Sequence, residues 1–250
     1  MKIIRYAAGN GAEYGILDGE QVQSLTGDPY ARLQKSGQSR KLSDVKLLSP
    51  CTPSKIVAAG LNYYSHAEEL KMPIPPEPLL FFKPSTAVIG PGENIFYPPF
   101  SKRLDYEAEL GVVIKTRTRQ VSREEAMSCV LGYICFNDVT ARDLQAKDDQ
   151  WARAKGCDTF APIGPHIETE LDPGNVWVES YLNGERKQRV NTSDLIFPIP
   201  ELVSYISHVL TLLPGDIIAT GTPSGIGPMN RGDTIEIKID AIGTLTNYVT

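Results

Sequence analysis

The residues whose types and spacing best suit chemistry lie between Arg103 and Asp138. Glu107 and Glu109 stand one residue apart and run directly into the apolar segment Leu110 to Ile114, which reads as a strand. Side chains alternate along a strand, so the two carboxylates share one face of the sheet. Asp138 closes a second apolar segment rich in strand formers, Leu131 to Asn137. If the two strands are neighbours, its carboxylate joins the pair. Three carboxylates held together repel and raise one another's pKa, and a divalent cation is the usual means of keeping them charged. An all-oxygen set with no Cys or His beside it calls for a hard ion: Mg²⁺, with Mn²⁺ or Ca²⁺ as alternatives. The same pattern suits two solvent-facing glutamates on an edge strand and a helix-capping aspartate, with Lys102, Arg103 and Arg142 as counter-charges. A short carboxylate motif does not separate these two readings by itself.

Further candidates flank this stretch. The strand Lys55 to Ala59 ends at Gly60, and Asn62 to Lys71 follows with helical spacing. His66 and Glu69, three residues apart, share one face of that helix. Pro73, Pro75, Pro76 and Pro78 stop it. A short helix hung between a glycine and a proline run is suited to be a lid; read as plain surface, it carries one polar pair. Arg142 and Gln145 share a side by the same spacing and have the same alternative, solvated polarity. The run Gly221-Thr222-Pro223-Ser224-Gly225-Ile226-Gly227 superficially suggests a phosphate loop, but no helix and no Lys-Ser/Thr end follow it, which argues against a nucleotide.

Taken in order, several of these motifs carry a resemblance. Gly60-Leu61-Asn62-Tyr63, His66-Ala67-Glu68-Glu69, Phe81-Phe82-Lys83-Pro84-Ser85, Asp105-Tyr106-Glu107-Ala108-Glu109-Leu110 and Asn137-Asp138-Val139-Thr140-Ala141-Arg142-Asp143 are followed by Lys155-Gly156-Cys157-Asp158, Asn191-Thr192-Ser193-Asp194 and Thr220-Gly221-Thr222-Pro223-Ser224-Gly225. This sequence resembles the fumarylacetoacetate hydrolase superfamily over about residues 55 to 250. The resemblance implies a divalent metal held by Glu107, Glu109 and Asp138. It implies a His66–Glu69 pair that closes over the metal and activates water, and an Arg142–Gln145 pair holding substrate oxygens. It further implies that the glycine loop brings backbone N–H groups and the Thr222 hydroxyl to a substrate carboxylate. Lys155 would add positive charge at the reacting oxygen. The implied activity is that of an enzyme on a small 2-oxo acid, whose carboxylate and 2-oxo oxygens meet the metal and whose enolate the metal stabilises. Hydrolysis of an acylpyruvate or fumarylpyruvate leads. Oxaloacetate decarboxylation and isomerisation of a 2-hydroxymuconate-type diacid pass through the same enolate. A homodimer is the family expectation. The competing class is a non-catalytic protein in which the carboxylates hold Ca²⁺ for structure.

The elements that must position these groups form an α+β, sheet-dominated pattern of many short strands and few helices without βαβ alternation. The resemblance makes it a mixed β-sandwich roll. Residues 1–50 read as a small β-rich N-terminal domain, with strands at Ile3 to Ala7, Tyr14 to Leu17 and Gln21 to Leu25 and a hairpin turn at Asp18-Gly19. A helix is expected near Pro29 to Lys35. Ser49-Pro50-Cys51-Thr52-Pro53 marks the boundary to a catalytic domain, residues 51–250. Ser122-Arg123-Glu124-Glu125 is a capping box opening a helix through Val130. Asn183-Gly184 closes a hairpin, and Pro200 opens an amphipathic helix with Leu202, Ile206, Leu210 and Leu213 toward the core.

Bulk properties exclude other classes. The 250 residues carry 25 basic and 30 acidic side chains, a net charge of −5, with no basic block, so nucleic acid is not an expected partner. No stretch approaches membrane length, and Lys2 and Arg5 interrupt the first apolar run, so the expected location is the cytoplasm, away from membranes. Cys51, Cys129, Cys135 and Cys157 lack C-x-x-C spacing and read as reduced thiols.

Overall fold

The segment that carries the carboxylates is apolar at nearly every position because both faces of its strand are buried. Leu110, Val112 and Ile114 enter one core, while Val113 enters another with Ile134 and Phe136 of the neighbouring strand. In the computed structural model, which describes residues 1–9, 11–31 and 33–250, this strand, Ala108–Ile114, lies inside a sheet of eleven strands among the described residues. Val130–Asn137 runs antiparallel on one side of it and Ile217–Ala219 antiparallel on the other. Lys55–Gly60 then pairs parallel to Ile217–Ala219, and Leu79–Pro84 forms the outer strand.

A five-stranded sheet supplies the second layer, with Trp177–Leu182, Thr234–Ile239 and Gly243–Val249 at its centre. Its Val178, Ile235, Ile237 and Leu245 meet the Leu110/Val112 face of the main sheet in one core. A three-stranded sheet links Thr140–Ala141, Leu104–Tyr106 and Gly227–Met229 next to the carboxylates. The architecture is the expected α+β, sheet-dominated β-sandwich roll of mixed strands. No described helix is long and apolar enough to cross a membrane, and all four cysteines are free thiols, three of them buried.

The N-terminal strands Lys2–Ala8, Gly11–Asp18, Gln21–Thr26 and Gln34–Lys41 form an antiparallel meander. Lys2–Ala8 pairs with Ala161–Glu168, so the meander extends the main sheet. The expected helix near Pro29 to Lys35 is absent from the described residues there. Asp28 instead makes a turn, accepting from the backbone of Tyr30 at 2.9 Å through its side chain, and a strand starts at Gln34; Arg32 lies outside the described residues. That strand is exposed at every position, so no apolar alternation marks it in the sequence.

The Ser122–Glu125 capping box forms, but the helix Arg123–Ala126 passes into a 3₁₀ turn ending at Cys129, and Val130 already belongs to a strand. The helix Ile199–Val209 buries Leu202 and Ile206. It stops before Leu213, which is exposed, because Leu212 exchanges backbone hydrogen bonds of 2.9 and 3.0 Å with Thr118 and the chain is drawn out of the helix. The short helix Tyr64–Leu70 ends as expected ahead of the prolines, with Lys71 left-handed at φ 53°.

Candidate active site

Strand pairing assembles the carboxylates. Ala108 faces Asn137 across the ladder, and the Asp138 amide donates to the Glu107 carbonyl at 2.9 Å, so Asp138 lies opposite Glu107. The alternation that puts Glu109 on the same face completes the group, and ligand oxygens of Glu107, Glu109 and Asp138 all lie within 4.8 Å of one another. All three side chains are buried.

Three basic side chains pair with members of this group, and a fourth holds the neighbouring Asp105. Lys155, at the end of the short helix Ala152–Lys155, donates to Glu107 Oε2 at 2.9 Å and Asp138 Oδ2 at 2.6 Å. Lys83, fully buried on the strand Leu79–Pro84, bonds the other Asp138 oxygen and the Val139 carbonyl. Arg142 bonds Glu107, and its Nε donates to Asp105 Oδ2 at 2.9 Å; Arg103 holds Asp105 from the other side at 2.9 Å. Burial by itself raises the Glu107 carboxyl, but Lys155 and Arg142 outweigh it and hold the group at about 2. For Lys155, burial works against the charge and the Asp138 and Glu107 carboxylates prevail, raising its pKa. Lys83 is lowered, chiefly by burial.

Glu109 is the exception. Its Oε2 accepts the Gly221 backbone N–H at 2.8 Å, and among the described residues no lysine or arginine pairs with it. Burial first, then the Asp138 and Glu107 charges, push its carboxyl well above the ordinary range. A buried carboxylate beside two others and lacking a cation of its own is the group a divalent ion would satisfy, and the all-oxygen donor set fits a hard ion such as Mg²⁺. Gly221 has to be glycine for this contact. Its φ is +95°, and a Cβ there would sit 2.8 Å from the Asn62 Cβ.

The carboxylates form the floor of a cavity of about 860 Å³ that also reaches His66, Phe81, Arg142, Gln145, Trp151, Lys155 and Thr222. Every candidate from the sequence except Glu69 therefore borders one space. His66 Nδ1 bonds Glu69 Oε2 at 2.9 Å, and Glu69 Oε1 accepts the Gly225 N–H at 3.0 Å, which ties the short helix to the glycine loop. The imidazole faces the cavity and Glu69 stands behind it. Arg142 and Gln145 bond each other. The Thr222 hydroxyl is occupied within the protein, donating to the Ala108 carbonyl at 3.0 Å and accepting from Gln188 at 2.9 Å. The backbone N–H of Gly221 does meet a carboxylate, that of the protein's own Glu109.

Sequence reasoning assigned no role to Lys83, Asp105 or Gln188. A lysine directly after the apolar run Leu79 to Phe82, in phase with Leu79 and Phe81, was a usable signal for the first, since a buried lysine needs an anionic partner. Asp105 continues the period-two series of Glu107 and Glu109. Gln188, on the far hairpin, left no local signal.

Residues 55–250 match the family model described as Fumarylacetoacetate (FAA) hydrolase C-terminal, and residues 1–50 match that described as Rv2993c-like, N-terminal. The chain belongs to the fumarylacetoacetate hydrolase family. It is similar to the structure of 2-hydroxyhepta-2,4-diene-1,7-dioate isomerase from Mycobacterium marinum, at 40% identity and TM-score 0.94, covering 100% of this chain and 98% of that one. It is also 40% identical over 220 residues to the mitochondrial oxaloacetate tautomerase FAHD2B of Bos taurus, which covers 83% of this chain and 70% of the bovine protein. The structure of maleylpyruvate hydrolase from Sphingobium sp. SYK-6 in complex with manganese(II) ion and pyruvate is 30% identical, with TM-score 0.82, covering 100% of this chain and 99% of that one. These relatives are enzymes, and they span isomerase, tautomerase and hydrolase.

Proposed function

We propose that this protein is a divalent-metal-dependent enzyme that acts on a small 2-oxo acid through the enolate next to its 2-oxo group, and that its reaction is hydrolysis of the C–C bond of an acylpyruvate or fumarylpyruvate. The observation that carries the reading is the placement of three buried carboxylates, within 4.8 Å of one another, on the floor of a cavity that Lys155 and His66 also border. Mg²⁺ is the ion we assign, with Mn²⁺, bound by the maleylpyruvate hydrolase relative, as the alternative. When bound, the ion supplies Lewis-acid charge for the 2-oxo oxygen.

The protein's own groups divide the rest of the work. Lys155 places a buried ammonium beside the carboxylates and adds positive charge where the enolate oxygen develops. Arg142 and Gln145 are braced by each other and by Asp105, a rigid pair for orienting substrate oxygens. In hydrolysis the His66–Glu69 pair takes a proton from water as it adds to the distal carbonyl. The C–C bond then breaks, its electron pair passes to the pyruvate enolate, and a proton returns at C3.

Direct proton transfer without cleavage, as in an isomerase or tautomerase, is the second reading. One observation favours it: the imidazole faces the cavity while Glu69 is engaged at both oxygens behind it, an arrangement that moves a proton on the substrate as readily as through water. Assays with acetylpyruvate, fumarylpyruvate and oxaloacetate in Mg²⁺, Mn²⁺ and EDTA test both. Hydrolysis releases pyruvate, decarboxylation releases CO₂, and tautomerisation appears as deuterium entering C3 without cleavage. Metal-independent turnover, or neither turnover nor exchange with any of the three, overturns the proposal.

A further inference from the structure

The cavity is markedly asymmetric in charge. Its cations, Lys155 and Arg142, stand at the floor and are bonded to Glu107, Asp138 and Asp105. Phe81 adjoins that floor, with the Lys155 ammonium 4.9 Å from its ring centre, and the remaining apolar lining is Leu70, Met72, Ile74, Leu79 and Trp151. Phe81 and Trp151 lock edge to face at 5.4 Å between centroids, which makes that part of the wall rigid. Glu77, an exposed member of the lining, is an anion. Four of the wall residues are about half exposed: Leu70 45%, Met72 51%, Ile74 46% and Leu79 49%. Large apolar side chains gathered at a cavity mouth mark a surface that gains by being covered. A volume of about 860 Å³ leaves ample room beyond a pyruvate-sized head.

We propose that the far end of the substrate is an uncharged apolar tail, alkyl or aryl, lying beyond Phe81 against Met72, Ile74 and Leu79, and that a substrate with a second carboxylate at that end is disfavoured. This rests on the 2-oxo acid reading above and narrows it to an acylpyruvate with an apolar acyl group, leaving fumarylpyruvate aside. It separates the protein from relatives whose names specify dicarboxylic acids. A distal carboxylate there would give up water for Met72, Ile74 and Leu79, where the described lining holds Glu77 and no lysine or arginine. A tail of the same shape instead contributes about fourfold in binding for each methyl or methylene group buried.

The test needs no turnover. Binding of pyruvate, 2-oxoglutarate and 5-methyl-2-oxohexanoate to the full chain in Mg²⁺ is measured by calorimetry; the last two share one shape and differ by an isopropyl group in place of the distal carboxylate. The expected result is 5-methyl-2-oxohexanoate tighter than 2-oxoglutarate by roughly tenfold or more, with Ile74→Lys narrowing or reversing that ratio. Tighter binding of 2-oxoglutarate, with pyruvate still bound, overturns the tail assignment and leaves the 2-oxo acid reading standing. A ratio unchanged in Ile74→Lys places the tail on another wall and also overturns it. Failure of all three acids to bind removes the 2-oxo acid reading and the tail with it.

Discussion

Replacing Glu109 by glutamine is the sharpest test of the carboxylate centre, because it separates repulsion from metal binding in one variant. Glu109 is raised well above its ordinary 4.5 by burial and by the Asp138 and Glu107 charges. A group raised in the folded state contributes its full stability below its ordinary value and loses it as pH climbs through the folded value. Without a divalent ion, the crowding that raises Glu109 therefore works against folding at pH 7, where the unfolded chain ionises the group freely. Glutamine has no such cost, keeps the shape and still accepts the Gly221 N–H. In EDTA at pH 7, Glu109→Gln is therefore expected to be more stable than the parent, and the advantage should disappear as pH falls to the ordinary carboxyl range. Mg²⁺ at a hundred times its Kd should stabilise the parent by about 2.7 kcal/mol and the variant far less, bringing the two together. Urea unfolding in EDTA and in Mg²⁺ measures both effects. A variant less stable than the parent in EDTA at pH 7, or one with an undiminished response to Mg²⁺, would refute the reasoning.

Three further outcomes are expected. Lys155→Met should lower kcat with KM little changed, since its charge is needed as the enolate appears, and should also lower stability by leaving Glu107 to Arg142 and Asp138 to Lys83 alone; steady-state kinetics with an unchanged kcat would end that assignment. Glu69→Gln should reduce acylpyruvate hydrolysis by roughly 10²–10⁴-fold and spare oxaloacetate decarboxylation, whereas equal loss of both would mean that the pair only holds the helix against the Gly225 loop. His166 is buried with no hydrogen-bond partner for Nε2 among the described residues, and burial with the nearby Lys2 lowers its pKa from 6.5 to about 4. Its contribution is present above 6.5 and lost as pH falls toward 4, worth about 3 kcal/mol, so His166→Gln should flatten the acid limb of a stability–pH profile; an unaltered limb would show that His166 does not cause it.

The sequence by itself determined the parts that depend on short-range pattern. Glu107 and Glu109 share a face because strand geometry has a period of two, and the Ser122–Glu125 box and the Asn183-Gly184 hairpin follow from local hydrogen-bonding and turn chemistry. The placement of Asp138 was legible only conditionally, since nothing local says which strands pair; the antiparallel register of Ala108 with Asn137 decided it. The exposed strand Gln34–Lys41 was missed because an edge strand with no buried face leaves no alternation to read, and the extent of the helix Ile199–Val209 was overestimated because Thr118, more than eighty residues away in the chain, competes for its end. In the site, residue types named the candidates, but only the tertiary structure revealed which charges are matched. Lys83 and Lys155 arrive from separate elements to occupy both oxygens of Asp138, and Arg142 reaches back to Glu107. Among the described residues, Glu109 is left with the Gly221 backbone donor. Electrostatic balance is a sum over groups brought together from across the chain, so it is not encoded in any one motif.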